Sequence, residues 1–260
     1  MSTLTAWAKG PRALIINDTA GLDADGIVRG WVTKLITVPH LRMAITTRGA
    51  VAALPHLATD LVAEFPTFDA VAEDVPGFLA RAHDHLMMRL ADQAGCGEID
   101  LGIVGWSTAR RQCEAYALST LDHPGWPAFT VQRNDVFLAP TPPLTEMEAA
   151  GILAGGRILD RDPEGMLMVA LELQRRQRLP LVGMFGDRAH HIVGGHAVLT
   201  EITEAGITQR IARTWPDRIG ERINPGSPAT VPPSQPATAG MPRAQRRTAE
   251  ALARKDRARV

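Results

Sequence analysis

The order in which hydrophobic patterns change along this chain limits it to a layered fold. Leu4 to Ala8 and Ala13 to Asn17 predict two short strands joined by a turn at Lys9, Gly10 and Pro11, with Asp18 ending the second. Thr19 to Gly26 predicts a polar loop, Ile27 to Val38 a β-branched strand closed by Pro39, and Leu41 to Thr47 a further strand. Ala50 to Phe65 suits a helix. A second helix, capped by Thr67 or Asp69, runs to about Ala94 with a break near Pro76 and Gly77. Strand periodicity returns at Ile99 to Trp106, Cys113 to Ser119 and Pro127 to Gln132, with turn chemistry at His123, Pro124 and Gly125. Thr145 to Leu153 and Pro163 to Arg178 predict helices, the latter with a proline in its first turn. Ile192 to Thr203 and Gly206 to Thr214 predict a hairpin turning at Glu204, Ala205 and Gly206. Strands, two helices, strands, two helices, strands: each sheet must bury one face against the other sheet and one against helices. An α+β fold with a β core between two helical layers is the economical solution.

From about Ile223 the composition shifts. Asn224 to Ala244 is dominated by Pro, Gly, Ser, Thr and Ala, too poor in apolar bulk to offset the entropy of ordering. The expected division is therefore a folded domain over residues 1–222 and a disordered linker and basic tail over 223–260. The tail carries Arg243, Arg246, Arg247, Arg254, Lys255, Arg257 and Arg259 against Glu250 and Asp256. It reads as a solvated tail, with a docking peptide that forms a helix on a partner, or a weak polyanion contact, as the alternatives.

At 260 residues and 45% hydrophobic content the chain can bury a large core. Lys plus Arg balance Asp plus Glu at 28 each, so the whole-chain charge carries no signature of a nucleic-acid or membrane partner. Cys96 and Cys113 are the only cysteines and show no zinc or CxxC spacing, which points to a reduced compartment. The N-terminus lacks a basic region followed by a long apolar run, and no stretch approaches the ~18 apolar residues of a membrane span. The expectation is a non-secreted, cytoplasmic protein.

One spacing carries chemistry. Ser2 follows Met1, Asp18 lies sixteen residues on, and Lys34 sixteen beyond that. With Met1 removed, Ser2 carries a hydroxyl and a free amine on one residue, so nucleophile and base come together. An α-amino group titrates near ~8, against ~10.4 for a lysine side chain, which makes it a usable base. Lys9, Lys34 and Lys255 are the only lysines, so a lysine at a given preselected position is a rare coincidence. The plainer reading of Lys34 is a solvated strand residue.

Other clusters read as structural. His83 and His85, and His190, His191 and His196, have no carboxylate or cysteine that completes a ligand set, so no metal site is expected. Gly105, Trp106 and Ser107 lack the G-x-S-x-G form of a nucleophile elbow, and Ala154 to Arg157 is not a phosphate loop. Trp31, Trp106, Trp126 and Trp215 read as core or interface aromatics.

Taken together, the stretch from Ser2 to about Asp122 resembles a proteasome β-type subunit and its bacterial relatives, the HslV-like and Anbu-like peptidases. Their terminal Thr or Ser, the Asp ending the second strand and the Lys on the following strand are separated as Ser2, Asp18 and Lys34 are. Ile45 to Ala50 sits where that family turns into its first helix, and Gly102 to Trp106 resembles its Gly-Trp strand. The resemblance implies a four-layer αββα sandwich of the N-terminal nucleophile (Ntn) hydrolases, with no cofactor. It also implies that Ser2 attacks an amide carbonyl, that Lys34 stabilises the nucleophilic form, and that Asp18 holds Lys34. The oxyanion-hole N–H, commonly of a Gly in that family, falls at Arg48, with Gly49 beside it. The family's Gly-Ser-Gly turn aligns with Ala139, Pro140 and Thr141. Its later Asp and Ser fall on His190 and Val193, ahead of Gly194 and Gly195. Implied partners are a peptide or amide substrate, further copies of the chain in a ring, and an ATP-driven unfoldase.

Two classes of function follow. The first is a proteasome-like amidohydrolase, a threonine/serine-type peptidase, with a non-proteolytic acylase or amidase as its variant. The second keeps the fold as an assembly or scaffold subunit without efficient catalysis. The Ser2, Asp18, Lys34 set favours the first; Arg48, the Pro-rich turn at Ala139 to Pro143 and the missing Asp/Ser pair favour the second.

Overall fold

A computed structural model describes residues 3–49, 52–89, 98–123, 125–159, 161–180, 189–226 and 229–230. The chain begins with a hairpin, β1 (Leu4–Lys9) and β2 (Arg12–Asn17), then a ribbon of β3 (Ala20–Leu22) and β4 (Val28–Trp31). After β5 (Leu35–Val38), one 3-10 turn at Pro39–Leu41 leads to β6 (Met43–Gly49) and the helices α1 (Ala53–Glu64) and α2 (Phe68–Arg89). Then follow β7 (Ile99–Ser107), β8 (Gln112–Ser119), β9 (Gln132–Arg133), β10 (Val136–Ala139) and α3 (Leu144–Ala149). A short pair, β11 (Leu153–Ala154) and β12 (Arg157–Ile158), precedes α4 (Pro163–Arg176), and β13 (Leu179–Pro180) pairs with β14 (Ala189–His190). The hairpin β15 (His196–Thr203) and β16 (Gly206–Thr214) completes the described elements.

These strands form two five-stranded sheets, β10-β1-β2-β15-β16 and β5-β6-β7-β8-β9, antiparallel at every pairing. With the helices segregated from the strands along the chain, the class is α+β.

Strand alternation explains the three larger cores among the described residues. In β2, Leu14 and Ile16 point one way, against Leu167 and Leu171 of α4. Ala13 and Ile15 point the other way, into a second core shared with Ala44, Val104, Cys113 and Ala115 of the other sheet. Many contacts there are alanines, which lets the sheets approach closely. The far faces of β6 and β7 bury Met43, Ile45 and Ile103 under Leu54, Leu57 and Leu61 of α1 and Phe78 and Leu79 of α2. Each helix contributes an apolar stripe of this kind rather than an all-round apolar surface.

Several sequence expectations need correction. The run Ile27 to Val38 is not one strand: β4 pairs with β3 while β5 pairs with β6, so the chain changes partner across Val32–Lys34. Lys34 therefore stands just ahead of β5. Ile45 to Ala50 is not a turn as far as it is described, because β6 stays paired with β7 through Gly49. Of Pro127 to Gln132 only Gln132 lies in a strand, with a turn at Ala128 and Phe129, and Thr145 to Leu153 stops being helical at Ala149 before a turn at Gly151 of positive φ. Thr67, whose Oγ1 accepts the N–H of Ala70, is the cap of α2. Asp69 instead accepts the Ser107 hydroxyl and the N–H groups of Thr108 and Ala109. The break in α2 falls at Asp74, two residues before Pro76, whose missing N–H interrupts the helical ladder; the expected end of that helix near Ala94 lies outside the described residues.

Beyond residue 222 the described chain continues to make contacts. Ile223 is buried with Ala20 and Val28, and Thr214 and Thr230 exchange backbone hydrogen bonds. Most of the expected linker and the whole basic tail, residues 231–260, lie outside the described residues. No described helix is long and apolar enough to cross a membrane.

Cys113 sits in the core between the sheets, its thiol donating to the carbonyl of Ile202 at 3.4 Å. Burial, with the neighbouring Glu114 charge, pushes its pKa to about 12. In a Cys96→Ser protein at pH 8, a thiol reagent should leave native Cys113 unmodified and label it only after denaturation; rapid native labelling would contradict this packing.

Candidate active site

The site is built on the end of β2. Asp18 follows that strand directly, and Lys34 precedes β5, which belongs to the other sheet. Lys34 Nζ donates to both carboxylate oxygens of Asp18, at 2.8 Å each. The side chains are 1% and 0% exposed, so the pair is out of solvent. Asp18 Oδ2 also accepts the backbone N–H of Ala20 at 3.2 Å and of Gly194 at 3.0 Å. A buried carboxylate with one cation and two amide donors has the partners its charge needs.

A second set of bonds ties this pair to the start of the chain. Asn17 Nδ2 donates to the carbonyl of Thr3 at 3.0 Å and to Thr46 Oγ1 at 3.1 Å. Thr46 Oγ1 in turn donates to the carbonyl of Lys34 at 2.7 Å. Thr3, Asn17, Thr46 and Lys34 thus form one network across two sheets. Asn17 Oδ1 is buried with no hydrogen-bond partner among the described residues. Asn17, Asp18, Thr33, Lys34, Val198 and Thr200 line a cleft of ≈ 170 Å³.

Of the five residues singled out from sequence, the structure brings Asp18 and Lys34 into contact. Arg48 and Gly49 lie on β6, two and three residues past Thr46. Arg48 Nη1 donates to Asp100 Oδ2 at 2.6 Å, directly opposite on β7. Gly49 has φ +106°, and a Cβ there would lie 1.9 Å from the carbonyl oxygen of Glu98, so only glycine fits. Ser2 lies outside the described residues.

The turns carried over by resemblance separate into two kinds. Gly194 does meet the pair, through its N–H to Asp18, while the N–H of Gly195 goes to Asp217. At Ala139 to Thr141, the Thr141 hydroxyl donates to the carbonyl of Leu138 and the Pro140 carbonyl accepts Gln174 Nε2. Both are thereby engaged locally. His190 is buried in β14 and Val193 belongs to the α4-side core. Asn17 and Thr46 were not singled out from sequence; a polar residue inside a strand pattern is the only signal they offer.

Two other polar clusters have a structural chemistry. His123 Nε2 meets both Ser119 Oγ, at 3.0 Å, and Asp100 Oδ1, at 3.4 Å. A Ser-His-Asp relay needs the hydroxyl and the carboxylate on opposite ring nitrogens, so this set is not one. Glu114 takes bonds from Arg110, Gln112, Tyr116 and Arg133. Burial pushes its carboxyl up, but these donors outweigh it and hold it below the ordinary carboxylate range. Tyr116 is pushed up to about 12 by burial and by its bond to that carboxylate. Among the described residues no three His, Cys, Asp or Glu come together as a metal ion would need. Trp106 and Trp215 are core residues, while Trp31 is 41% exposed beside His196.

Comparison with models of known protein families and with curated proteins finds no match for this chain.

Removing one partner of a buried ion pair leaves an uncompensated charge, at a cost of about 3–5 kcal/mol. Lys34→Met should lower the unfolding free energy in a urea titration by about that amount. Adding Asp18→Asn should recover part of the loss. A Lys34→Met loss below about 1 kcal/mol, the size expected of a surface pair, would contradict the buried geometry.

Proposed function

We propose that this chain is an N-terminal nucleophile amidohydrolase of the proteasome-like kind, acting as a serine-type peptidase on a peptide or amide. The observation that carries the reading is the Asp18–Lys34 pair, joined through Thr46 and Asn17 to Thr3. Ser2 is the residue bonded to Thr3. The arrangement of cores also supports the family's four-layer αββα sandwich: α1 and α2 on one sheet, α4 on the other, and an alanine-rich core between the sheets.

In this mechanism Met1 is removed and Ser2 Oγ attacks the carbonyl carbon of the scissile amide. The Ser2 amine takes the hydroxyl proton and passes it to the leaving amine, and water then hydrolyses the acyl ester by the same route. Lys34, held by Asp18, contributes positive charge that stabilises the nucleophilic form. Backbone N–H groups at Arg48 and Gly49 serve the oxyanion. Serine lacks the methyl that restrains χ1 in threonine, which lowers the expected rate. No cofactor enters, copies of the chain form a ring in the cytoplasm, and an ATP-driven unfoldase supplies unfolded substrate.

A second reading, an assembly subunit without efficient catalysis, is favoured by one specific observation. The Thr141 hydroxyl is committed to Leu138, and neither Pro140 nor Val193 carries a hydroxyl where the family supports its terminal amine.

Intact mass should show loss of Met1. A peptidyl epoxyketone, which closes a ring through the hydroxyl and amine of one residue, should then label Ser2, and Ser2→Ala should abolish the adduct. Retained Met1, or no adduct under conditions that label a proteasome-like peptidase, would sink the catalytic reading in favour of the second.

A further inference from the structure

A heavily bonded buried charge outside the site is Arg175, on the last turn of α4. Its side chain is 0% exposed and that of Asp217 is 2% exposed. The contact is bidentate, Nη1 to Oδ2 at 2.8 Å and Nη2 to Oδ1 at 2.7 Å. The same guanidinium donates to the carbonyl of Val193 at 2.7 Å and of Asn224 at 2.9 Å, and lies 4.8 Å from the Trp215 ring centroid. Burying such a pair gives weak net stabilisation, because desolvation offsets the attraction. What it provides here is geometry: a planar fork with fixed directions that holds Val193, just before one turn, and the Asp217 carboxylate that meets that turn.

That turn is Gly194–Gly195. Asp217 Oδ2 accepts the Gly195 N–H at 2.9 Å, and one residue earlier the Gly194 N–H donates to Asp18 Oδ2 at 3.0 Å. The Gly194 carbonyl accepts the N–H groups of Thr19 and Ala20 at 3.1 Å each, and Thr19 Oγ1 accepts the His196 N–H at 2.9 Å. Gly195 has φ +77°, and a Cβ there would lie 2.6 Å from Thr19 Oγ1 and 2.7 Å from the Trp31 ring. The turn thus has the close approach to the Asp18 segment that a side chain would prevent.

We propose that Arg175 and Asp217 are positioning residues for the candidate active site: through the Gly194–Gly195 turn they fix Asp18, and through Asp18 the ammonium of Lys34. The catalytic consequence rests on the reading of Asp18 and Lys34 as half of a terminal-nucleophile site; the structural consequence at Lys34 does not. Neither residue touches substrate. Their effect passes through two backbone N–H groups and one carboxylate.

The test uses the full chain and two readouts. With three lysines, at 9, 34 and 255, the ε-methylene NMR signals are few, and Lys34→Arg assigns the one of interest. Asp217→Asn and Arg175→Met should move the Lys34 ε signal. They should slow epoxyketone labelling of Ser2 at least tenfold with a displaced pH profile. Arg175→Lys, which keeps the charge but not the fork, should restore both in part. Leu57→Ala, in the core under α1, destabilises the fold without touching this turn and should leave the Lys34 signal unchanged. If Arg175→Met does not fold, the near-isosteric Asp217→Asn carries the comparison. A folded Asp217→Asn with the wild-type Lys34 signal overturns the proposal. Failure of wild-type protein to label at Ser2 overturns the catalytic reading instead, and the Lys34 signal still decides the positioning claim.

Discussion

The two bonds from Lys34 Nζ to Asp18 are the constraint that the two sheets and their helices must jointly satisfy. A carboxylate and an ammonium that are both out of solvent must satisfy each other, and few chain paths deliver them to one point. Asp18 arrives at the end of β2, in one sheet. Lys34 arrives ahead of β5, in the other. The pair therefore depends on the two sheets meeting at a fixed distance, which the alanines of the core between them permit. Each sheet is in turn held from outside by helices, α4 over one and α1 with α2 over the other. Packing places the pair; the pair does not create the packing.

Around it, backbone does most of the polar work. Asp18 draws on amide donors from Ala20 and Gly194 as well as on Lys34, and Lys34 is held by its own carbonyl through Thr46. This is how a site gains rigidity without additional charge. Arg48 is the exception: its guanidinium, at the position where the resembled family commonly has a Gly, is bonded to Asp100 across the ladder. Its side chain thus has a structural role, and its backbone is what remains for chemistry.

Much of the fold was legible because β1, β2, β7 and β8 are short, largely buried runs bounded by turn residues, and because α1 and α4 carry clear apolar stripes. Asp18 and Lys34 were legible through spacing alone. The break between β4 and β5 was not, since the β-branched pattern runs on while the pairing partner changes from β3 to β6. Asn17 and Thr46 were hidden because polar residues within strands look like ordinary alternation. Gly194 and Gly195 were noticed as a Gly pair, yet the bond from Gly194 to Asp18 spans 176 residues, and no local pattern predicts such a contact. Arg175 and Asp217 were invisible for the same reason: Arg175 looks like one more basic residue at a helix C-terminus, where cations are common.

The network from Thr3 to Lys34 gives the terminal-nucleophile reading its physical content, and the locally engaged hydroxyl at Thr141 gives the scaffold reading its own. The two differ in what stands one bond before Thr3. A crystal structure of the epoxyketone-treated protein decides between them most directly. The account predicts a covalent ring through the Ser2 nitrogen and Oγ, with Lys34 Nζ within about 3.2 Å of that oxygen and still bonded to Asp18. An adduct on another residue, or a Ser2 adduct with Lys34 out of hydrogen-bond reach, would contradict it.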